Sequence, residues 1–254
     1  MNKSKLLLTL VFGIFVIFSS CKKKSFIDSE NVGQSPTMIE KNLVENDDNL
    51  KEDISYDFYY NGILVNENPL ILKENKNNDI KNIMIVFEKI NKGEKKRISI
   101  NSFSTDEQYI EWGKEHNIPV ANILHKESLL KEFVEKNNTE EIFNKTGKLP
   151  DNFVSFTDNL LGGEKSGTAA FIFKDYHGGD SWAFINTIPT LKNTAWDNEI
   201  SRYYDTEVYG AVAFYSGYWY KHRMATLWNW GWHNVRFRGA LKKLNDKTSS
   251  LINY

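Results

Sequence analysis

The chain has 254 residues, and its 32 lysines and arginines nearly balance its 33 aspartates and glutamates. The formal net charge of −1 excludes a strongly basic nucleic-acid-binding protein, because such proteins cluster Lys and Arg on one face. A single cysteine excludes an internal disulfide framework. The length allows one large domain or two of modest size.

The N-terminal segment has the layout of a bacterial lipoprotein signal peptide. Lys3 and Lys5 precede an apolar run over residues 6–18, and two serines stand directly before Cys21. The run is about 13 residues long, shorter than the roughly 20 that a membrane-spanning helix needs. We therefore expect residues 1–20 to be a signal peptide and Cys21 to carry acyl chains, palmitate among them, after cleavage.

The residues after the cysteine indicate in which membrane the protein would be located. Lysine rather than aspartate follows Cys21, which in the lipoproteins that this segment resembles directs the protein to the outer membrane of a Gram-negative host. We expect a cell-envelope protein anchored through Cys21, with the polar residues 21–50 as a flexible tether. The alternatives are a buried core cysteine and a short transmembrane anchor, and Phe18 stands where leucine is usual before a lipidated cysteine.

Residues 51–165 predict a small α+β domain of unknown role. Aromatic residues before Asn61-Gly62, a dipeptide typical of two-residue turns, and an apolar run after it predict a hairpin over 56–65. The apolar run 83–87 and the alternating segment 97–103 predict two more strands.

Helices are predicted after these strands. Capping residues at 104–107 predict a helix that ends near Asn117, since Pro119 cannot continue it. Shorter helices are predicted over 128–136 and 139–144. The glycine-rich stretch 162–167 marks the end of this domain.

The sequence gives no support for catalysis. It contains no Gly-x-Ser-x-Gly, no His-Glu-x-x-His and no phosphate-binding loop. His116 and His125 lie on either side of a predicted helix end, so they do not form an i,i+4 pair of metal ligands. We expect a non-catalytic protein with solvated surface histidines.

Residues 168–254 contain two copies of one pattern, an aromatic turn followed by a pair of acidic or amide residues, two spacers and a hydroxyl residue. The second turn has Tyr215, Tyr220 and His222, and the first is a shortened version starting at Phe173 and Tyr176. The paired stretches are Asp-Asn-Glu-Ile-Ser-Arg at 197–202 and Asn-Asp-Lys-Thr-Ser-Ser at 245–250.

This pattern resembles the βγ-crystallin family, whose repeats begin with an aromatic pair and a glycine and end with Asn/Asp-Asn/Asp-X-X-Ser/Thr-Ser. The resemblance covers 168–254, about a third of the chain, and implies an all-β double Greek key sandwich after the α+β unit. His222 occupies the glycine position, which histidine tolerates because it accepts positive φ better than most residues. Arg202 departs from the pattern at its sixth position.

The resemblance also implies two calcium sites, because the two stretches of such proteins exchange ligands. The first site would use the Glu199 carbonyl, the Ser201 hydroxyl and the Asp246 carboxylate. The second site would use the Lys247 carbonyl, the Ser249 hydroxyl and the Asn198 amide oxygen.

Calcium affinity rises with the charge of the ligands, so the first site, with its carboxylate, is expected to bind more tightly. The alternative is that both stretches only terminate strands through side-chain to backbone hydrogen bonds. The charge of Arg202 favours that alternative.

Three tryptophans alternate along 228–232, and on a strand they would project to one face. Trp228, Trp230 and Trp232 would then either stack on a ligand or fill a core, and core filling is the favoured interpretation.

The overall expectation is an envelope lipoprotein that binds calcium and serves structure, adhesion or binding. The alternative functions are protease inhibition and calcium-independent capture of a glycan or protein.

Overall fold

The computed structural model describes residues 54–74, 79–88, 96–162, 170–175, 178–184, 186–205, 210–229 and 233–254. The expected signal peptide, Cys21 and the expected tether lie outside the described residues, as does most of the glycine-rich stretch 162–167. Among the described residues, no helix has the length and apolar character that crossing a membrane requires.

The described chain begins with the predicted hairpin. Strands β1 (Ile54–Tyr60) and β2 (Ile63–Val65) pair antiparallel on either side of Asn61 and Gly62. Both turn residues have positive φ, 47° and 81°, which asparagine and glycine adopt most readily. After helix α1 (Pro69–Glu74), the two predicted strands follow as β3 (Asn82–Phe87) and β4 (Lys96–Phe103).

Four helices come next, in a single run of chain. They are α2 (Asp106–Glu115), α3 (Val120–Lys136), α4 (Thr139–Thr146) and α5 (Asp151–Leu161). The predicted cap is confirmed, since the Thr105 hydroxyl accepts a bond from the Gln108 amide at 3.2 Å.

Helix α3 is twice as long as predicted, and α5 was not predicted. The buried residues of α3 include Glu127, a charged residue that interrupts the apolar periodicity of the sequence. In α5 the buried positions include Thr157, and the helix starts after Pro150 without a side-chain cap.

After residue 162, the described residues form eight strands and one short 3-10 helix. They are β5 (Ala170–Asp175), β6 (Gly178–Phe184), β7 (Thr187–Ile188), β8 (Arg202–Asp205), β9 (Gly210–Tyr215), β10 (Arg223–Asn229), β11 (His233–Arg236), the 3-10 helix Gly239–Leu244 and β12 (Ser250–Asn253).

The strands form two sheets, which we call the large and the small sheet. The large sheet is mixed, with the order β2-β1-β4-β3-β10-β9-β12-β7, and the small sheet has the order β11-β8-β5-β6. The segments 51–165 and 168–254 share the large sheet, because β3 pairs in parallel with β10, with Met84 opposite Thr226. The predicted division of the chain into one domain over 51–165 and another over 168–254 stays a prediction.

The protein is layered as helices, large sheet and small sheet, with a core on each side of the large sheet. The core between the sheets contains Ile85 and Leu227, and the core under the helices contains Val86 and Trp228. Adjacent residues of one strand thus enter opposite cores, as strand geometry requires.

A buried ion pair connects the helices to β10. The Arg223 guanidinium donates to Glu127 Oε2 of α3 at 2.6 Å, and the two side chains are only 11% and 8% exposed. Arg223 also donates to the side-chain oxygen of Asn82 at the start of β3. This pair therefore joins α3, β3 and β10.

Candidate calcium site

The two predicted stretches occupy equivalent places in the fold. Residues 197–202 lead into β8 and residues 245–250 lead into β12. The second residue of each stretch has a left-handed backbone, with φ of 59° at Asn198 and 53° at Asp246. Asparagine and aspartate adopt this conformation more readily than most residues, which accounts for their place in the pattern.

Backbone hydrogen bonds cross between the stretches reciprocally. The Asn198 amide donates to the Thr248 carbonyl, and the Asp246 amide donates to the Ile200 carbonyl, both at 3.2 Å. Each stretch therefore lies against the other, across an approximate twofold axis.

The hydroxyl residues are held by a second equivalent set of bonds. The Ser201 amide donates to the Phe173 carbonyl at 2.9 Å, and the Ser249 amide donates to the Tyr215 carbonyl at 2.8 Å. Phe173 and Tyr215 are the first aromatic residues of the two predicted turns, so the structure aligns the two copies as the sequence pattern does.

The first site brings together two of its three predicted residues through their side chains. The Ser201 hydroxyl, on a residue that is 5% exposed, lies 3.3 Å from Asp246 Oδ1. Asn245 donates its side-chain N–H to Asp246, while its own Oδ1 is buried with no hydrogen-bond partner among the described residues. Glu199, predicted to offer its carbonyl, lies two residues before Ser201.

A carboxylate that the predicted ligand set does not include lies beside the second predicted site. The Ser249 hydroxyl lies 3.3 Å from Asn198 Oδ1, as the pattern predicts, and also 2.9 Å from Asp197 Oδ1. The Tyr218 hydroxyl donates to Asp197 Oδ2 at 2.5 Å, and this bond raises the pKa of Tyr218. Lys247, predicted to offer its carbonyl, lies two residues before Ser249.

The donor set fits calcium. Among the described residues, no group of three or more His, Cys, Asp and Glu side chains gathers. The oxygens at both sites are hydroxyl, amide and carboxylate oxygens, the hard ligands that calcium takes at about 2.3 to 2.6 Å. The partnerless acceptor of Asn245 is a further oxygen suited to a cation.

Arg202 is directed onto an aromatic ring. Its guanidinium lies 4.6 Å from the centre of the Phe173 ring, and the residue is 2% exposed. A cation–π contact of this kind stabilises the positive charge of the Arg202 side chain within the small sheet.

The second aromatic turn has the geometry that its sequence predicts. The Tyr215 and Tyr220 rings meet edge to face at 5.8 Å, and His222 has φ of 55° at the position where the pattern that this turn resembles has glycine. Burial raises the pKa of both tyrosines. Tyr176 of the first turn lies outside the described residues.

Trp228 is 7% exposed in the core under the helices, so its ring offers no face to a dissolved ligand. The stacking alternative is therefore wrong for Trp228, while Trp230 and Trp232 lie outside the described residues. His116 and His125 are both exposed, and His116 stacks on Trp112 at 4.3 Å.

Comparisons with known proteins give structural neighbours only. No protein family and no curated protein matches the chain. A domain from work on the evolution of the eye lens βγ-crystallin fold is 17% identical with a TM-score of 0.29, over 34% of this chain and 84% of that one. A βγ-crystallin from Ciona intestinalis is 13% identical with a TM-score of 0.28, over 35% of this chain and 100% of that one.

Proposed function

We propose that the C-terminal third is a calcium-binding module of the βγ-crystallin type, and that calcium strengthens a protein serving structure, adhesion or binding. The observation that carries the proposal is the reciprocal contact between the stretches, in which Ser201 meets Asp246 and Ser249 meets Asn198. Strand termination through side-chain to backbone hydrogen bonds gives no reason for the oxygen-bearing side chains of the two stretches to contact each other twice.

We also propose a double Greek key arrangement for this third. The strand order supports it, because β7 lies in the sheet of β9, β10 and β12, while β11 lies in the sheet of β5, β6 and β8. Each group of four strands thus takes one strand from the other copy of the repeat, which ties the two copies together.

A calcium titration of the purified protein tests the module. With the affinity of extracellular calcium modules, about 10⁻⁴ to 10⁻³ M, millimolar calcium should stabilise the folded state by roughly 1 to 2 kcal/mol. We expect a rise in melting temperature and, by calorimetry, two bound ions.

Asp246→Ala should remove one of the two ions and much of the thermal shift. Asp180→Ala is the matched control, because Asp180 is an aspartate of the same third with a 78% exposed side chain. An Asp246→Ala protein that binds calcium like the Asp180→Ala protein would refute the first site.

We propose further that the protein is a non-catalytic lipoprotein of the cell envelope, anchored at Cys21 and, in a Gram-negative host, located in the outer membrane. Support comes from the lysines, the apolar run and the single cysteine of the leader. Cells given labelled palmitate should label the wild type but not Cys21→Ala, and the variant should lose its membrane association. Equal labelling of both would exclude this anchor.

A further inference from the structure

We propose that Asp197 supplies a carboxylate oxygen to the second calcium site and that Tyr218 is the positioning residue that orients it. This inference rests on the proposed calcium-binding function. Neither residue is in the predicted ligand set, which gives the second site only the neutral side chains of Asn198 and Ser249.

The oxygens of the second site are spaced as neighbours in a calcium shell. Ser249 Oγ lies 2.9 Å from Asp197 Oδ1 and 3.3 Å from Asn198 Oδ1. Ligands at the usual calcium–oxygen distance and six- to eightfold coordination are separated by about 3 to 3.5 Å. A cation could therefore be held by the three atoms after the hydroxyl hydrogen turns away, with little movement of the oxygens.

Tyr218 leaves one oxygen of Asp197 for the metal. Its hydroxyl donates to Oδ2, while Oδ1 faces Ser249. Tyr218 lies in the hairpin between β9 and β10, where the next residue, Trp219, donates its amide to the Pro189 carbonyl at 2.7 Å. Loss of a partner that holds a ligating carboxylate in this way typically lowers the metal affinity by about 10- to 100-fold.

The charge balance of the two sites changes as a result. The first site has Asp246, and the second site gains Asp197, so each has one carboxylate. The expectation that the first site binds more tightly because it alone is charged no longer follows.

Calorimetry on the Asp246→Ala protein isolates the second site. In that background we expect Asp197→Ala to weaken calcium binding by about tenfold or more and Tyr218→Phe by about tenfold. The two changes together should weaken binding no more than Asp197→Ala alone, because the tyrosine then has no carboxylate to hold. Melting temperatures without calcium should stay close to that of the background protein.

Tyr220→Phe is the matched control, since it removes a hydroxyl of the same hairpin that bonds Thr187 at 2.8 Å. It should leave the affinity unchanged. If the Asp246→Ala protein binds one ion and the added Asp197→Ala change does not weaken that binding, the inference is overturned and the proposed function stands. An effect of Asp197→Ala without one of Tyr218→Phe rejects the positioning role. Absence of binding by the wild type at about 10 mM calcium, above the usual range, defeats both proposals.

Discussion

Three residues of the hairpin between β9 and β10 have a left-handed backbone without being glycine. They are Trp219, Tyr220 and His222, with φ of 57°, 62° and 55°. Trp219 and Tyr220 are buried, so core packing offsets the cost of this conformation. His222 is exposed, and at this position the conformational cost has no comparable compensation.

His222→Gly should therefore stabilise the protein. Relief of the left-handed backbone outweighs the extra freedom of glycine in the unfolded chain, and we expect a gain of about 0.5 to 1 kcal/mol. Urea unfolding measures the change. His125→Gly, at an exposed position of α3, is the control and should destabilise the protein by roughly 0.3 to 0.5 kcal/mol, because glycine is a poorer helix former than histidine. A loss in His222→Gly as large as in His125→Gly would show that the backbone is not strained.

The sequence predicts candidate site residues where the pattern is local. Asn198, Ser201, Asp246 and Ser249 follow from a six-residue spacing, and the structure brings them together in pairs. The contact of Tyr218 with Asp197 joins residues 21 positions apart and depends on how a hairpin folds over a turn. No spacing rule contains that information.

Helix α3 shows how a single charged residue alters an element. Its buried face includes Glu127, which accepts from Arg223 of β10 and from Lys131 one turn along the helix. The hairpin β1–β2 was predictable from its aromatic residues and the Asn61-Gly62 turn, and β3 and β4 were predictable from an apolar run and from alternation. The pairing of β3 with β10 was not, because it joins residues about 140 positions apart and leaves no local signal.

Glu127→Ala should strongly destabilise the protein, because it leaves the Arg223 charge buried without its carboxylate. Loss of one partner from a buried pair costs about 3 to 5 kcal/mol. The matched control is Glu132→Ala on the same helix, where an exposed pair with Lys136 is broken at little cost, because solvent screens exposed charges. Urea unfolding of both variants gives the comparison, and similar losses would show that the buried pair contributes no more than a surface pair.

The proposed calcium sites connect to the helical layer through the large sheet. Residues 245–250 continue into β12, whose Ile252 packs in the core under the helices. Asn253 donates its amide to the Asn186 carbonyl at 2.7 Å. The Asn186 side chain in turn donates to Asp158 of α5 at 2.6 Å. Stabilisation at the sites should therefore extend to the helices.

We expect one cooperative unfolding transition that calcium shifts as a whole. Two spectroscopic probes report on different segments of the chain. Six of the seven tryptophans lie after residue 180, while α1 to α5 all lie before residue 163. Tryptophan emission and helical circular dichroism should give the same midpoint in urea, and calcium should raise both midpoints equally. Asp246→Ala should reduce both shifts together. If calcium moved only the emission midpoint, the C-terminal third would unfold as a separate domain, and the β3–β10 pairing would not couple the two segments.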